Sequence, residues 1–306
     1  MKVAEVLDDF VDDCQLRGMS QSTIERYISS VREFGNFMDQ RNKDLLNIDK
    51  EVFKSFLDYL RRGRGLSLRT IEADFAAISC LYSYLEYQGI VNQNPVSAVR
   101  KRYLRRFKDN GPTNTRKLIS VEDMARMINS TVDVRDRAIL TLLAKTGIRR
   151  KELIAIDIND IDWIEQSITL KPTAKRTNRV VFFDDETAFV LRRWMKVREG
   201  RKKKSQALFL NHEGERLARH GIYDAVVEAA QRVDIHDSES DRMQDHFSPH
   251  CCRHWFTTHL RRAGMSREFI QELRGDVRKE AIDIYDHIDK KELRESYLAH
   301  IPQLGL

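Results

Sequence analysis

A basic segment in the first half of the chain, residues 100–118, most constrains what the chain can fold into. It carries eight lysine and arginine residues against one acid, and it contains the chain-breaking pair Gly111-Pro112. So dense a run of like charge cannot be buried in an apolar core, and a Gly-Pro pair interrupts helices and strands. The segment therefore predicts a linker between two separately packed parts, residues 1–99 and residues 119–306.

The net charge of the chain is concentrated in this linker. The 306 residues carry a formal charge of +6, with a sequence pI near 9.1. Residues 100–118 alone carry +7, whereas residues 1–99 carry −3 and residues 119–306 carry +2. A basic segment between two nearly neutral parts favours a polyanionic partner, which it would contact through phosphate groups.

Residues 1–99 predict four helices. Apolar residues recur at spacings of three and four, as in the stripe that includes Ile24, Ile28 and Val31, and this period is typical of amphipathic helices. The fourth helical pattern runs from Ser67 to Gly89 and is followed by a stretch rich in turn formers that closes at Pro95. We expect a small all-helical module.

Residues 119–306 predict a mixed but mainly helical domain. Ser120 begins a helix, and the apolar helix Arg135–Lys145 ends at Gly147. Two β-like runs, Ser167–Leu170 and Arg179–Phe183, flank a polar stretch and predict a β-hairpin; the rest reads as helical. The expected fold class is mainly α, with an N-terminal four-helix domain and an α+β domain that contains a small hairpin or sheet.

The most distinctive motif is F-S-P-H-C-C-R-H, which ends at His254. Ser248 and Pro249 suit the cap and first position of a helix. His250 and Arg253 then lie one turn apart at the helix N-terminus, where free N–H groups favour an anion. Taken alone, this spacing is more typical of an ordinary amphipathic helix with surface histidine and arginine.

Three further features lie elsewhere in the chain. The stretch T-G-I-R-R-K-E-L breaks a buried helix at Gly147 and places Arg149 at a helix junction, one turn from Glu152. Lys171 and Lys175 lie in the predicted hairpin. A tyrosine, Tyr285, follows the arginine of the first motif by 32 residues.

Together these features resemble the tyrosine recombinases, the integrase and Xer-like group of site-specific DNA recombinases. The shared order is T-G-I-R-x-x-E-L, a hairpin lysine, S-P-H-x-x-R-H, and a tyrosine after L-R-G-D-x(8)-Y. The resemblance covers nearly the whole chain and implies three segments: a core-binding, DNA-binding domain (1–99), a basic linker (100–118) and a catalytic domain (119–306). It implies an enzyme that cuts and rejoins duplex DNA through a 3′-phosphotyrosyl intermediate, in integration, excision or dimer resolution.

The resemblance also assigns roles to individual residues of the motifs. These are Arg149 and Arg253 on the scissile phosphate, Tyr285 as nucleophile, Lys175 as proton donor to the leaving 5′ oxygen, His250 in proton movement and Glu152 as orienting residue. Lys171 competes with Lys175 for its role, because the sequence does not fix the hairpin register.

One catalytic position departs from the family pattern. Asp276 stands after Gly275 where the family usually has a third histidine or a tryptophan. A carboxylate cannot donate a hydrogen bond to a phosphate and repels it. Three explanations are open: Asp276 is protonated, it turns away and accepts a bond from Arg or Tyr, or another group such as His287 takes over.

The implied partner is double-stranded DNA, bound by a homotetramer in the synaptic complex, whereas the free protein is monomeric or weakly associated. The expected DNA-binding residues of the linker are Arg100, Lys101, Arg102, Arg105, Arg106 and Lys108. No cofactor is expected. His246, His250 and His254 recur at a spacing of four, but Pro249 lies between the first two and would break a shared helix, so no metal site is expected either. The chain has no apolar run of membrane-spanning length and no C-x-x-C pair, so we expect a cytoplasmic, nucleoid-associated protein.

Two other functions share these motifs. One is a catalytically impaired DNA-binding regulator, suggested by Asp276. The other is a DNA-relaxing enzyme of the type IB topoisomerase kind, with the same chemistry but no specific site. The C-terminal stripe of Leu293, Tyr297 and Ile301 could pack on its own domain or on a neighbouring subunit.

Overall fold

The chain folds as two units, Met1–Gly111 and Pro112–Leu306. The computed structural model describes residues 1–46, 48–104, 117–172, 180–240, 242–276 and 288–306. In these residues the fold is mainly helical with one small antiparallel sheet, which confirms the predicted class. None of the helices in the described ranges is long and apolar enough to span a membrane.

The first unit is all-helical. Its elements are α1 (Val3–Leu16), α2 (Gln21–Asp39), α3 (Lys50–Asp58), a π-helical turn (Tyr59–Gly63), α4 (Leu68–Tyr87) and α5 (Val96–Tyr103). The apolar stripes predicted from the sequence form its core, in which Phe34 stacks on Phe53 and meets Phe56 edge-on. Such aromatic packing buries large areas and holds the short helices together.

Helix α5 is an element that the sequence does not predict. The turn formers that close at Pro95 indicate the end of the helical module, but in the structure Pro95 precedes a fifth helix. Asn94 accepts a hydrogen bond from the backbone N–H of Val96 at 3.0 Å, and Val96 and Val99 are buried in the core of the unit. Capping and burial therefore continue the helical module beyond its predicted end.

This helix also changes the predicted linker. Its last turn contains Arg100, Lys101 and Arg102, so these three residues lie on a helix and not in an irregular linker. The remaining expected DNA-binding residues, Arg105, Arg106 and Lys108, lie outside the described residues.

The second unit begins with helices that pack around a long buried one. Its elements are α6 (Val121–Asn129), α7 (Val134–Thr146), α8 (Arg150–Ala155), a 3₁₀ turn (Ile158–Asp160), β1 (Ile161–Asp162), β2 (Ser167–Thr169), β3 (Val180–Phe182), α9 (Asp185–Glu199), α10 (Arg219–Arg232), a 3₁₀ turn (Met243–Asp245), α11 (Pro249–Arg262), α12 (Arg267–Arg274) and α13 (Lys290–His300). Helix α7 is buried nearly all round, which is typical of a central core helix.

The sheet confirms the predicted hairpin and adds a strand. Strands β2 and β3 pair antiparallel with Ile168 opposite Val181, and the unpredicted β1 pairs with the other edge of β2. Strand β1 has only two residues, too few to show the alternating pattern by which strands are identified.

The C-terminal segment packs on its own unit in this structure. Tyr297 of α13 is fully buried and donates a hydrogen bond to the carbonyl of Lys145 at 2.9 Å. Beyond the helix, the Glu186 carboxylate accepts hydrogen bonds from the backbone N–H groups of Leu304 and Gly305 at 2.9 and 2.5 Å.

A fully buried lysine joins this tail to the core. The Lys145 ammonium donates to Asp184 and Glu186 at 2.6 Å each and to the carbonyl of Pro302 at 2.7 Å. Burial would raise the pKa of Glu186, but the bonds from Lys145 and the tail N–H groups outweigh it and lower that pKa. The three acceptors satisfy all three ammonium protons.

Replacing Lys145 should destabilise the second unit strongly. Lys145→Ala leaves two carboxylates, Asp184 and Glu186, without their cation, and we expect a loss of about 3–5 kcal/mol in the free energy of unfolding. Urea denaturation followed by tryptophan fluorescence reports this unit alone, because all three tryptophans lie in it. The control is Lys204→Ala, which removes an exposed pair with Glu215 and should cost less than about 1 kcal/mol. Equal losses of unfolding free energy in Lys145→Ala and Lys204→Ala would contradict this account.

Candidate functional site

The arginine at the junction of α7 and α8 is held by its own helix cap. Gly147 adopts a left-handed conformation with φ of 58° and ends α7. Arg149 is the cap residue of α8, and the Glu152 carboxylate accepts from its backbone N–H at 2.7 Å and from its Nη1 at 3.0 Å. Glu152 is buried, so it fixes both the backbone and the guanidinium of Arg149, as the sequence predicts for an orienting residue.

The second arginine comes from the motif helix α11. Ser248 is its cap residue and Pro249 its first residue, as predicted. Arg253 is only 5% exposed. Its Nη1 donates to the carbonyl of Gly147 at 2.7 Å, and its Nη2 donates to the carbonyl of Arg274 at 3.0 Å. A buried guanidinium is tolerated only when such acceptors surround it.

Asp276 lies between the two arginines. Its Oδ1 accepts from Nη2 of Arg149 and from Nη2 of Arg253, both at 3.1 Å. Its Oδ2 lies 3.1 Å from Nη2 of Arg274. One of the three explanations left open was that Asp276 turns away and accepts a bond from Arg or Tyr. The structure agrees that the carboxylate accepts bonds from arginine. It differs in that the carboxylate faces the arginine pair and does not turn away. Gly275, with φ of 61°, provides the left-handed turn that ends α12 just before it.

The cluster is an oxyanion-binding arrangement. Three guanidinium groups, from Arg149, Arg253 and Arg274, surround one carboxylate from Asp276, and Glu152 supplies a second carboxylate behind Arg149. Guanidinium groups bind oxyanions through directed, charge-assisted hydrogen bonds. Arg149 is about a third exposed, so solvent or a ligand reaches the cluster on its side.

Two contributors to this cluster were not predicted from the sequence. Arg274 gives its carbonyl to Arg253 and its side chain to Asp276, and Gly147 supplies the other carbonyl acceptor. The sequence does carry a signal for Arg274, because it immediately precedes the Gly-Asp pair of the L-R-G-D motif. Nothing in the sequence alone indicates which backbone carbonyls face a buried arginine.

The remaining predicted residues are only partly described. His250 is exposed on the first turn of α11, one turn before Arg253. Lys171 donates to Asp160 at 2.9 Å and lies 3.2 Å from Asp157. The hydrogen bond to Asp160, and to a smaller extent the contact with Asp157, raise the pKa of the Lys171 ammonium. Lys175 and Tyr285 lie outside the described residues, and so does His287.

Two of the three histidines considered for a metal, His246 and His254, bond other groups. Nε2 of His246 lies 2.6 Å from the carbonyl of Ser240, and Nδ1 of His254 lies 3.0 Å from Oγ1 of Thr258. In the described part of the chain, no group of three or more histidine, cysteine or acidic side chains is arranged to hold a metal ion.

Known protein families match both units. The sequence profile of the phage integrase family matches residues 117–292, and that of the phage integrase N-terminal SAM-like domain matches residues 6–90. The chain is 29% identical to tyrosine recombinase XerC of Bacillus subtilis (strain 168) over 306 residues, which covers 96% of this chain and 95% of that protein.

Solved structures share the fold. XerH site-specific recombinase bound to palindromic difH substrate, in a post-cleavage complex, is similar with a TM-score of 0.68 at 23% identity, over 92% of this chain and 80% of that one. A lambda integrase dimer bound to a COC′ core site has a TM-score of 0.67 at 16% identity, over 95% of this chain and 100% of that one. At these identities the likeness establishes the fold alone.

The glycine at the α7–α8 junction should tolerate no side chain. A Cβ on Gly147 would lie 2.3 Å from Cδ1 of Phe256, and the positive φ adds strain. We expect Gly147→Ala to reduce the free energy of unfolding by about 2–5 kcal/mol, measured by urea denaturation with tryptophan fluorescence. Gly264→Ala is the control: its φ is +98°, but a Cβ there meets nothing within 4 Å. It should cost about 1–2 kcal/mol, and an equal loss in both variants would exclude the Phe256 clash.

Proposed function

Because the chain belongs to the phage integrase family of tyrosine recombinases, we propose that it is a site-specific recombinase that cuts and rejoins duplex DNA through Tyr285. The observation that carries this proposal is the convergence of Arg149 and Arg253 on one oxygen atom, Oδ1 of Asp276. These arginines come from separate helices of the chain, and their shared acceptor marks a position that a phosphate oxygen could occupy.

Two arginines suit the chemistry of phosphodiester cleavage. Attack on the phosphorus builds negative charge on the non-bridging oxygens, and a guanidinium is charged at any physiological pH and can bind two oxygens. Arg253 is buried and bonded to two carbonyls, so it needs little reorganisation when charge develops. Preorganised donors of this kind each contribute about 100-fold to 1000-fold in rate.

The nucleophile and the acid complete the proposed reaction. The Tyr285 hydroxyl gives up its proton as its oxygen attacks the scissile phosphorus. A 3′-phosphotyrosyl bond forms, the bond from phosphorus to the 5′ oxygen breaks, and that oxygen leaves with a proton. Lys175 is our proposed proton donor. Lys171 fits less well, since its bonds to Asp160 and Asp157 hold the proton and raise its pKa. His250, on the exposed first turn of α11, assists proton movement.

The partner is DNA, and we propose an assembly for it. The XerH and lambda integrase structures that share this fold are complexes with DNA sites. We propose that residues 1–99 and 119–306 both contact the duplex, that residues 100–118 join them, and that four copies act on two duplexes. The free protein would be monomeric or weakly associated, and its DNA substrate would place it at the nucleoid.

The covalent intermediate provides the first test. Wild-type protein incubated with its own site should form an adduct that survives SDS, and Tyr285→Phe should form none while its DNA affinity is unchanged, because only the nucleophilic oxygen is lost. Gel electrophoresis with end-labelled DNA measures both. Tyr87→Phe is a matched control, because it also removes a tyrosine hydroxyl but from an exposed side chain, and it should retain the adduct.

Two outcomes would contradict the proposed reaction. If wild-type protein binds the site but forms no adduct, the chain is a DNA-binding regulator. If adducts form equally at all sequences, it is a relaxing enzyme without a site. The adduct should also persist in EDTA, because the proposed steps use no metal.

The basic segment should contribute affinity without sequence preference. Arg100, Lys101 and Arg102 are on α5, whose buried residues are Val96 and Val99. Replacing the three basic residues by glutamine should weaken binding to specific and random DNA alike. It should also lower the slope of log K against log salt by about 0.9 for each phosphate that the variant no longer neutralises. Fluorescence anisotropy across a salt series measures this. Weaker binding at the specific site alone would instead assign these residues to base recognition.

A further inference from the structure

The carboxylate at the centre of the arginine cluster is itself an anion in an anion site. Resting on the proposed function, we propose that Asp276 is a built-in competitor for the scissile phosphate: it occupies the oxyanion position between Arg149 and Arg253 and must leave this position before a phosphate can bind both. It thereby sets the phosphate affinity of the arginine pair.

The hydrogen-bond geometry supports competition rather than coexistence. A single oxygen, Oδ1 of Asp276, accepts from Nη2 of both arginines at 3.1 Å. Nη2 of Arg253 has two N–H groups, and both are in use, one on the Arg274 carbonyl and one on Oδ1 of Asp276, so a phosphate oxygen that bonds this nitrogen displaces one of these acceptors. If the carboxylate stayed nearby, it would repel the phosphate, because like charges at such short range destabilise each other.

The two arginines keep other partners when the carboxylate leaves. Arg253 retains the carbonyls of Gly147 and Arg274, and Arg149 retains Glu152. The pair would therefore stay oriented while its shared acceptor is exchanged. This arrangement differs from an isolated buried ion pair, in which removal of one charge leaves the other without partners.

The Asp276 carboxylate also has another cation, Arg274, to pair with when it leaves Arg149 and Arg253. Asp276 is about a third exposed and is bound through its second oxygen to Arg274, which is exposed to a similar extent. Arg274 is thus a third cation that can keep the carboxylate after it leaves the other two.

Binding of inorganic phosphate tests the proposal without DNA. The Tyr285→Phe protein serves as the background, and titration calorimetry at low ionic strength measures the phosphate dissociation constant. Asp276→Asn should bind phosphate about tenfold more tightly, equivalent to about 1.4 kcal/mol, because it keeps the side-chain volume and removes the charge. Asp276→Ser is a second variant with the same expectation, and Asp276→Glu should stay close to the background protein.

Two further variants control for charge and location. Asp123→Asn also removes one arginine-paired carboxylate, on helix α6, and should leave phosphate affinity unchanged. Combining Asp276→Asn with Arg149→Gln should abolish the increase in phosphate affinity. The proposal is overturned if both the asparagine and the serine variants bind phosphate no more tightly than the background, or if Asp123→Asn gains as much.

This test separates the proposal from the recombinase function. Phosphate binding is measured without the nucleophile, whereas the recombinase function depends on the adduct at Tyr285. Tighter phosphate binding by Asp276→Asn, together with no adduct in the wild-type protein, would support the competitor and reject the proposed reaction. An adduct in the wild-type protein, together with unchanged phosphate affinity in Asp276→Asn, would support the proposed reaction and reject the competitor.

Discussion

The buried guanidinium of Arg253 is the interaction on which the rest of the site depends. It joins two segments that are distant from it in sequence: the Gly147 turn, and the stretch from Arg274 at the end of α12 to Asp276. Burying a charged group without acceptors would cost several kcal/mol, so the folded unit requires acceptors such as the carbonyls of Gly147 and Arg274 at this guanidinium. The same requirement places Arg149, which follows the Gly147 turn directly, beside Arg253. The contacts that satisfy the buried guanidinium therefore also position the site.

The end of helix α7 connects this site to the C-terminal segment. Lys145 lies two residues before Gly147, and its ammonium bonds to Glu186 and the carbonyl of Pro302, while its own carbonyl accepts from Tyr297. The turn that supplies an acceptor to Arg253 is thus held on its other side by the tail. Displacement of the tail would remove bonds from the last turn of α7, directly before this acceptor.

Much of the fold could be predicted from the sequence, because it follows from local rules. A periodic apolar stripe predicted the helix around Val31, an apolar run that ends at Gly147 predicted α7, and the Ser248-Pro249 pair located the start of α11. Helix α5 was missed because its stability comes from Asn94 and from two buried valines, whose contribution depends on tertiary packing. The resemblance identified Arg149 and Arg253, but not the acceptors that hold them. The position of Asp276 could not be predicted, since a carboxylate placed among three guanidinium groups depends on how separate helices pack.

The central claim is that Arg149 and Arg253 form the site of the scissile phosphate. A crystal structure of the Tyr285→Phe protein with its uncleaved DNA site tests this most directly. The account predicts non-bridging phosphate oxygens about 2.7–2.9 Å from Nη atoms of both arginines, with the Asp276 carboxylate withdrawn from Arg149 and Arg253. A complex in which Asp276 still bridges the two arginines, while the scissile phosphate lies elsewhere, would contradict it.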